Sequence, residues 1–294
     1  MSDAKFSVWS KRVQAQTELI LTRFLPQEDQ VLQEAMRYSS LGGGKRIRAM
    51  LAFATSEISS ADEKATEQAV AALEFLHAYS LVHDDLPCMD NDALRRGKPT
   101  CHVAFGETQA VLAGDALQTL AFEVLSQGNL LPATQQLRSI HILARASGAQ
   151  GMILGESIDV SVVGQNLSQK DLEIMHSYKT GALIEAAVVL GYLCCYDPKE
   201  EVIQILQNYA RHLGLAFQVM DDVLDVQSDT ATLGKTAQKD EKNQKPTFVS
   251  LLGLQEASQY AQHLHQQAVA ALKVLDYPPQ HLFDLADFIV HRNY

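Results

Sequence analysis

Two long apolar segments of this chain each end in a cluster of aspartates. The first reads LEFLHAYSLVHDD and the second reads LGLAFQVMDDVLD. Like charges at neighbouring helix positions repel each other, so each cluster needs a compensating cation. Mg²⁺ takes carboxylate oxygens and commonly bridges one or two carboxylates to substrate phosphates. One cluster alone is typical of a solvated helix end, whereas two favour a divalent-cation site. The acidic residues are Asp84, Asp85, Asp90, Asp221, Asp222 and Asp225.

The spacing of the aspartates differs between the two motifs. Asp221 and Asp225 are four residues apart, so they share one face of a helix. Asp84 and Asp90 are six residues apart, which places them on different faces of an uninterrupted helix. Both can reach one ion only if the chain leaves the helix between them. Pro87 favours such a break, because proline disfavours helix at the residue before it.

Composition and charge narrow the function classes. The chain has 294 residues, 47% of them hydrophobic, and a net charge of −11. That length and composition allow a sizeable core, and the negative charge argues against nucleic acid as a partner. No CxxC pair occurs among the four cysteines, and no run of 18 apolar residues occurs. We therefore expect reduced thiols, no membrane span and a cytoplasmic location.

Helical periodicity runs through nearly the whole chain. It predicts a large all-α bundle around a central cavity, formed by one domain over residues 1–294. One helix is expected from Lys45 to about Ile58, and another from the cap at Ser168 to about Gly191. No strand alternation or hairpin turn is evident. The polar, lysine-rich stretch from Gln227 to Pro246 is either a surface loop or a lid over an anionic ligand.

Several basic and polar residues flank or interrupt the apolar segments. Three glycines precede Lys45, and backbone amides at such a helix start attract anions. If the helix begins at Lys45, then Lys45 and Arg48 lie on one face. Lys179 interrupts an otherwise apolar helix, as does Gln218. Buried Lys and Gln are costly without partners, so both side chains should face a ligand or a polar partner.

Five motifs occur together in a recognisable order. They are GGGKRIR, HDDLPCMDNDALRRGKPT, YKTGALIEAA, FQVMDDVLD, and GKTAQKD followed by KPTFVSLLG. In this order the chain resembles the trans-type isoprenyl diphosphate synthases over essentially its whole length, most of all the bacterial farnesyl type. The resemblance implies the all-α isoprenoid synthase fold and a homodimer. It also implies Mg²⁺-dependent condensation of isopentenyl diphosphate with dimethylallyl and then geranyl diphosphate, with three Mg²⁺ ions at the site.

The resemblance also implies roles for individual residues. Asp84 and Asp90 should ligate Mg²⁺ with support from Asp85, and Asp221 should ligate the third ion, with Asp225 acting partly through water. The residues expected around the allylic diphosphate are Arg95, Lys179, Thr180, Gln218, Lys235 and Lys245. The residues expected around isopentenyl diphosphate are Lys45, Arg48, His77 and Arg96. Glu156 stands where relatives commonly have Gln, and its role is left open.

Product length is expected to depend on the residues just before Asp84. Tyr79 and Ser80 lie about one helical turn deeper than the metal site, where a growing prenyl tail would meet them. A bulky Tyr79 should stop growth, and a small Ser80 leaves room for geranyl. We therefore predict a fifteen-carbon product. The alternative is that Tyr79 is core packing and that the product has twenty carbons.

Two other function classes share the fold. A terpene cyclase usually carries an Asn/Ser/Glu metal motif where this chain has DDVLD, and it lacks a set such as Lys45, Arg48 and His77. A non-catalytic subunit of a synthase would be expected to have lost acidic residues, whereas both motifs are intact here. Both classes are therefore less favoured than a prenyltransferase.

Overall fold

Helices make up nearly all of the regular structure in the computed structural model, which describes residues 2–165, 167–227, 245–276 and 279–292. The predicted all-α fold is confirmed. The helices are α1 (Ser2–Phe24), α2 (Val31–Ser40), α3 (Ile47–Ser56), α4 (Glu63–Asp84), α5 (Cys101–Phe105), α6 (Glu107–Ser126), α7 (Ala133–Ser147), α8 (Met152–Ser161), α9 (Gln169–His176), α10 (Ala182–Leu193), α11 (Glu200–Gln227), α12 (Phe248–Leu252), α13 (Leu254–Leu272) and α14 (Gln280–His291).

Helix α10 lies in the middle of the core. Nearly every residue from Leu183 to Leu193 is buried, as expected for a helix that is apolar on all sides. It contacts α3, α4, α7 and α11, while α4 packs along α6 and α11 packs along α13. Buried apolar residues from Trp9 to Val290 form one continuous core. The single domain over residues 1–294 stays a prediction. Among the described helices, none is both long and apolar enough to cross a membrane.

Side-chain caps explain where several helices begin. The Asp62 carboxylate accepts a hydrogen bond from the Ala65 amide at the start of α4. The Ser168 hydroxyl accepts from the Asp171 amide at 3.2 Å, as the sequence predicts for α9. Thr247 and Ser250 form a reciprocal capping box at α12. Each of these caps satisfies amides that the first helical turn leaves without a partner.

A short antiparallel hairpin follows α4, so the expectation of no hairpin is wrong. Strand Leu94–Arg95 pairs with strand Lys98–Pro99. The linking residues Arg96 and Gly97 both have positive φ, 52° and 74°, as a type I′ turn requires. Strands of two residues are too short to show alternation in a sequence, which is why this hairpin was missed.

Two predicted helices also differ from those observed. Helix α3 begins at Ile47, because Arg46 adopts a left-handed φ of 52°. Lys45 therefore precedes the helix and does not share a helical face with Arg48. The helix predicted from Ser168 to Gly191 is interrupted by a π-helical segment, Ser177–Gly181. This segment carries Lys179 and Thr180, and π-helical turns occur frequently at functional sites.

Candidate active site

The first aspartate motif leaves the helix as its spacing predicts. Helix α4 ends at Asp84, and the chain then turns back on itself. The Asp90 amide donates a hydrogen bond of 2.8 Å to the Asp84 carbonyl, and the Asp92 amide donates one of 3.2 Å to the Asp85 carbonyl. Asp90 is therefore held beside Asp84 although six residues separate them.

Asp85 is bound by Arg95 from the hairpin. Arg95 Nε donates to both carboxylate oxygens at 3.0 and 2.8 Å, and Nη2 donates at 2.6 Å. Asp85 is only 2% exposed. Such a bidentate pair fixes the orientation of the guanidinium as well as its position. Asp85 therefore positions Arg95, whereas Asp84 lines the cavity that is described next.

A cavity of about 960 Å³ brings most of the predicted residues together. Asp84 and Asp221 line it, one from each aspartate motif. The basic and polar lining residues that the sequence predicts are Lys45, Arg48, His77, Arg95, Arg96, Lys179 and Thr180. The predicted chain-length residues Tyr79 and Ser80 also line it, and the remaining wall is apolar at Leu86, Met89, Val111, Met152, Ile153, Val160 and Phe217.

Charge and burial set the protonation of the lining groups. Burial and the neighbouring carboxylate of Glu156 raise the pKa of Asp84 to about 7. Burial lowers the pKa of Arg48 to about 10. Burial, together with the charge of Arg48, holds the pKa of His77 well below its usual value. His77 is therefore a neutral imidazole beside a charged arginine at neutral pH.

Three other predicted residues are not among those that line the cavity. Gln218 accepts a hydrogen bond of 3.1 Å from the Thr180 hydroxyl. Lys245 binds Asp90 at 3.0 Å. Asp225 is buried on α11, one turn beyond Asp221. Lys235 lies outside the described residues.

Lys179 is held by two carboxylates of α8. Its ammonium lies 2.7 Å from Glu156 and 2.6 Å from Asp159. Gly155 permits this contact, because a Cβ at that position would lie 2.1 Å from the backbone nitrogen of Lys179. The open question about Glu156 thus has a structural answer: the carboxylate lines the cavity and pairs with Lys179.

The second aspartate motif divides its carboxylates between different partners. Arg292 donates to Asp221 at 2.6 Å. Asp222 points away from that contact, accepting from the Phe248 amide at 2.7 Å and from Gln218 Nε2 at 3.0 Å. Asp222 therefore anchors the start of α12, and Asp221 is the member of the pair that faces the cavity.

The glycine-rich loop does not present all its amides to the cavity. The Gly42 and Gly43 amides donate to the Glu18 carboxylate at 3.1 and 3.3 Å. Arg46 also donates to Glu18, at 2.6 Å, and to Glu74, at 2.8 Å. The expected use of these amides for an external anion is therefore wrong for Gly42 and Gly43, because a carboxylate of the same chain occupies them. Only Gly44 and the residues after it line the cavity.

Comparison with known proteins identifies the family. The family model described as polyprenyl synthetase matches residues 29–274. The chain belongs to the polyprenyl synthetase family. Farnesyl diphosphate synthase of Haemophilus influenzae is 46% identical over 262 residues, covering 89% of this chain and 88% of that protein. Geranylgeranyl pyrophosphate synthase 12 of Arabidopsis thaliana is 46% identical over 257 residues, covering 85% of this chain and 71% of that protein.

A solved structure supports the same family fold. The geranyltransferase of Helicobacter pylori, complexed with magnesium and isoprenyl diphosphate, aligns with a TM-score of 0.85 at 35% identity. The alignment covers 96% of this chain and 95% of that one. The all-α polyprenyl synthetase architecture is therefore shared over nearly the whole chain.

Sequence reasoning missed three residues that shape the site of this polyprenyl synthetase. They are Glu18, Asp159 and Arg292. Asp159 offered a signal, since it follows Glu156 by one helical turn in a largely apolar helix. Arg292 offered none, because its contact with Asp221 spans 71 residues of sequence.

Proposed function

We propose that this polyprenyl synthetase is a Mg²⁺-dependent farnesyl diphosphate synthase. It would condense isopentenyl diphosphate with dimethylallyl diphosphate and then with geranyl diphosphate. One observation carries the proposal: a single cavity is lined by aspartates of both motifs, by several basic residues and by apolar side chains. The similarity to a curated farnesyl diphosphate synthase over most of both chains supports it.

The carboxylates of the two motifs fit Mg²⁺. Their oxygens are the hard ligands that this ion takes. No three acidic, histidine or cysteine side chains in the described ranges are close enough to form a complete metal cage. Mg²⁺ needs only one or two carboxylates when substrate phosphates supply the rest. We propose Asp84 and Asp90 for the first motif and Asp221 and Asp225 for the second, with three ions when diphosphate is bound.

A divalent ion beside Asp84 would favour its ionised form, which reverses the effect of burial on that pKa. When bound, Mg²⁺ would stabilise the negative charge that develops on the leaving diphosphate. Arg95 and Lys179 stabilise the same charge from the protein side. Thr180 and Gln218, which bond to each other, would position the reacting end of the allylic substrate.

The second substrate would bind at the other basic residues of the cavity. Arg48 and Arg96 carry charge for its diphosphate, and Lys45 adds a third cation from the loop. The Arg96 guanidinium donates to the Gly43 carbonyl at 2.6 Å, which ties it to the same loop. His77 would contribute a neutral hydrogen bond, since its pKa is held low by burial and by Arg48.

Carbon–carbon bond formation requires that the allylic cation meets the isopentenyl double bond before water does. The apolar wall, including Met152 and Phe217, excludes water from that part of the cavity. Arg95 and Lys179 hold the departed diphosphate beside the new cation. We propose that this diphosphate accepts the proton that is lost in the last step.

Tyr79 remains the proposed floor for chain growth. It is only 6% exposed and lies in the cavity wall next to Ser80. The longer product stays the second candidate, because geranylgeranyl pyrophosphate synthases of Arabidopsis thaliana reach the same identity as the farnesyl enzymes.

We also propose that the protein is a homodimer. Leu112 on α6 is 45% exposed, and Leu137 on α7 is 66% exposed. Burial of such apolar side chains against a second copy would remove them from water. Light scattering of the purified protein tests this proposal, and a monomer at micromolar concentration would contradict it.

Paired aspartate variants test the proposed chemistry. Asp84→Asn and Asp221→Asn should each lower kcat/KM for geranyl diphosphate by about 100-fold or more, because each removes a carboxylate that faces the proposed ions. Asp29→Asn is the control, since its side chain is 95% exposed. Chelation of Mg²⁺ should abolish turnover. Retained activity in both cavity variants would refute the assignment.

A further inference from the structure

Asp159 joins two lysines that come from separate parts of the chain. The same carboxylate oxygen, Oδ2, accepts from Lys179 at 2.6 Å and from Lys245 at 3.2 Å. Asp159 is only 4% exposed. Lys245 in turn lies 3.0 Å from Asp90 of the first aspartate motif. Asp159 is therefore the common partner in an ion-pair chain that leads to the proposed metal site.

Two ammonium groups at one place are costly unless a negative charge compensates them. Like charges repel, and burial disfavours the charged form of lysine. Burial lowers the pKa of Lys179, but Asp159 and Glu156 together raise it well above its ordinary value. The pKa of Asp159 is lowered overall although burial raises it, because both lysines lie beside it. Lys179, Lys245 and Asp159 are therefore all charged at neutral pH.

The surrounding backbone fixes where these three groups meet. The close approach at Gly155 presses α8 against the π-helical segment that carries Lys179. Lys245 precedes α12 by three residues, and Asp222 holds the first amide of that helix at 2.7 Å. Asp159 thus connects α8, the π-helical segment and the start of α12. Glu156 contacts Lys179 one turn earlier on the same helix and has no contact with Lys245 among the hydrogen bonds and ion pairs of the described chain.

We propose that Asp159 is a positioning residue that holds Lys179 and Lys245 together beside Asp90, so that both ammonium groups are in place when the allylic diphosphate arrives. The proposal rests on the function proposed above. If the two ammonium groups are already ordered before the substrate binds, binding does not have to include the entropic cost of ordering them. Asp159 would act through the two lysines and would not touch the substrate.

The test compares Asp159→Asn with Glu156→Gln. Both changes remove one negative charge next to Lys179, but only the first removes the link to Lys245. Asp159→Asn should lower kcat/KM for geranyl diphosphate by about 10- to 100-fold, as expected for loss of charged hydrogen bonds. KM for isopentenyl diphosphate should change less than about threefold, because the ion pairs of Asp159 run to Lys179 and Lys245, which are both assigned to the allylic diphosphate. Glu156→Gln also removes a charge beside Lys179 but leaves the link between Asp159 and Lys245, so its loss of kcat/KM for geranyl diphosphate should be smaller than that of Asp159→Asn.

A purely structural role would change the kinetics with both substrates. General damage to the fold would impair the use of geranyl diphosphate and of isopentenyl diphosphate to the same extent, and that outcome would overturn the proposal. Equal effects of Asp159→Asn and Glu156→Gln would also overturn it. If Asp159→Asn does not fold, Asp159→Glu keeps the charge and shifts it by one methylene. This variant should still lower kcat/KM for geranyl diphosphate selectively. Wild-type kinetics in Asp159→Glu would overturn the positioning role.

A double variant tests the route through the second lysine. If Asp159 acts through Lys245, then Asp159→Asn combined with Lys245→Met should lose no more activity than the worse single variant. Full additivity would refute the coupling. Calorimetric binding of inorganic pyrophosphate with Mg²⁺ separates this proposal from the proposed function. An inactive wild-type protein would refute the function, whereas pyrophosphate affinity that is equal in wild type and Asp159→Asn would refute the role of Asp159.

Discussion

Arg46 connects the glycine-rich loop to the core, and its removal should destabilise the whole protein. The guanidinium binds Glu74 at 2.8 Å, Glu18 at 2.6 Å and the Ser40 carbonyl at 2.6 Å. Arg46 is 5% exposed and Glu74 is 2% exposed. In Arg46→Met, Glu74 would lose its ion pair with Arg46 and would still accept a hydrogen bond from the Ala49 amide at 3.2 Å.

The magnitude follows from the uncompensated charge. Removing one partner of a buried ion pair costs about 3–5 kcal/mol, because the other charge stays buried without its partner. For a chain of 294 residues that corresponds to a drop in Tm of roughly 5–8 °C. Unfolding in urea followed by far-ultraviolet circular dichroism measures the change. The loop beside Lys45 should also loosen, which would raise KM for isopentenyl diphosphate.

Two further variants make the reasoning refutable. Arg23→Met removes a comparable pair with Glu67 at 2.5 Å, but Arg23 is 55% exposed, so the cost should be about 0–1 kcal/mol. Glu74→Gln combined with Arg46→Met removes the stranded charge, and the double variant should be about 1–3 kcal/mol more stable than additivity predicts. A loss below about 1 kcal/mol in Arg46→Met, or strict additivity with Glu74→Gln, would refute the account.

Three further predictions concern product length, acid stability and helix packing. Tyr79→Ala should shift the product from fifteen to twenty carbons, measured by chromatography of the dephosphorylated alcohols; an unchanged product would remove Tyr79 as the floor. Burial raises the pKa of Glu18, but Arg46 and two loop amides lower it overall below 4.5. The stability that Glu18 contributes is therefore complete above pH 4.5 and is lost as the pH falls through the lowered pKa. The urea midpoint of Glu18→Gln should therefore fall less steeply with decreasing pH than the midpoint of wild type. Gly155→Ala would place a Cβ 2.1 Å from the Lys179 backbone nitrogen, so it should cost about 1–3 kcal/mol and lower kcat/KM; wild-type stability would contradict that packing.

The parts of the site that were predictable have local signals. Asp84 and Asp221 stand out because two apolar segments of the chain each end in several carboxylates, which favours a divalent-cation site. The break after Asp84 follows from Pro87 and from the spacing of Asp90. The cavity does contain Lys45, Arg48, His77 and Lys179, which sequence motifs indicated.

The remaining parts depend on contacts between distant segments. Glu18 meets the Gly42 amide across 24 residues, and Asp222 meets the Phe248 amide across 26. No periodicity in the sequence reports such pairings. The left-handed Arg46 at the start of α3 and the π-helical segment are likewise set by tertiary contacts, since local propensity favours a continuous helix in both places. The metal and substrate roles of individual residues stay predictions.

The most direct test of the central proposal is the product formed by the purified wild-type protein. Labelled isopentenyl diphosphate and Mg²⁺ would be supplied with dimethylallyl, geranyl or farnesyl diphosphate in separate reactions. We expect farnesol after dephosphorylation in the first two reactions and little turnover in the third. Geranylgeraniol as the main product would keep the chemistry but refute Tyr79 as the floor. No condensation by folded protein in any reaction would contradict the proposed function.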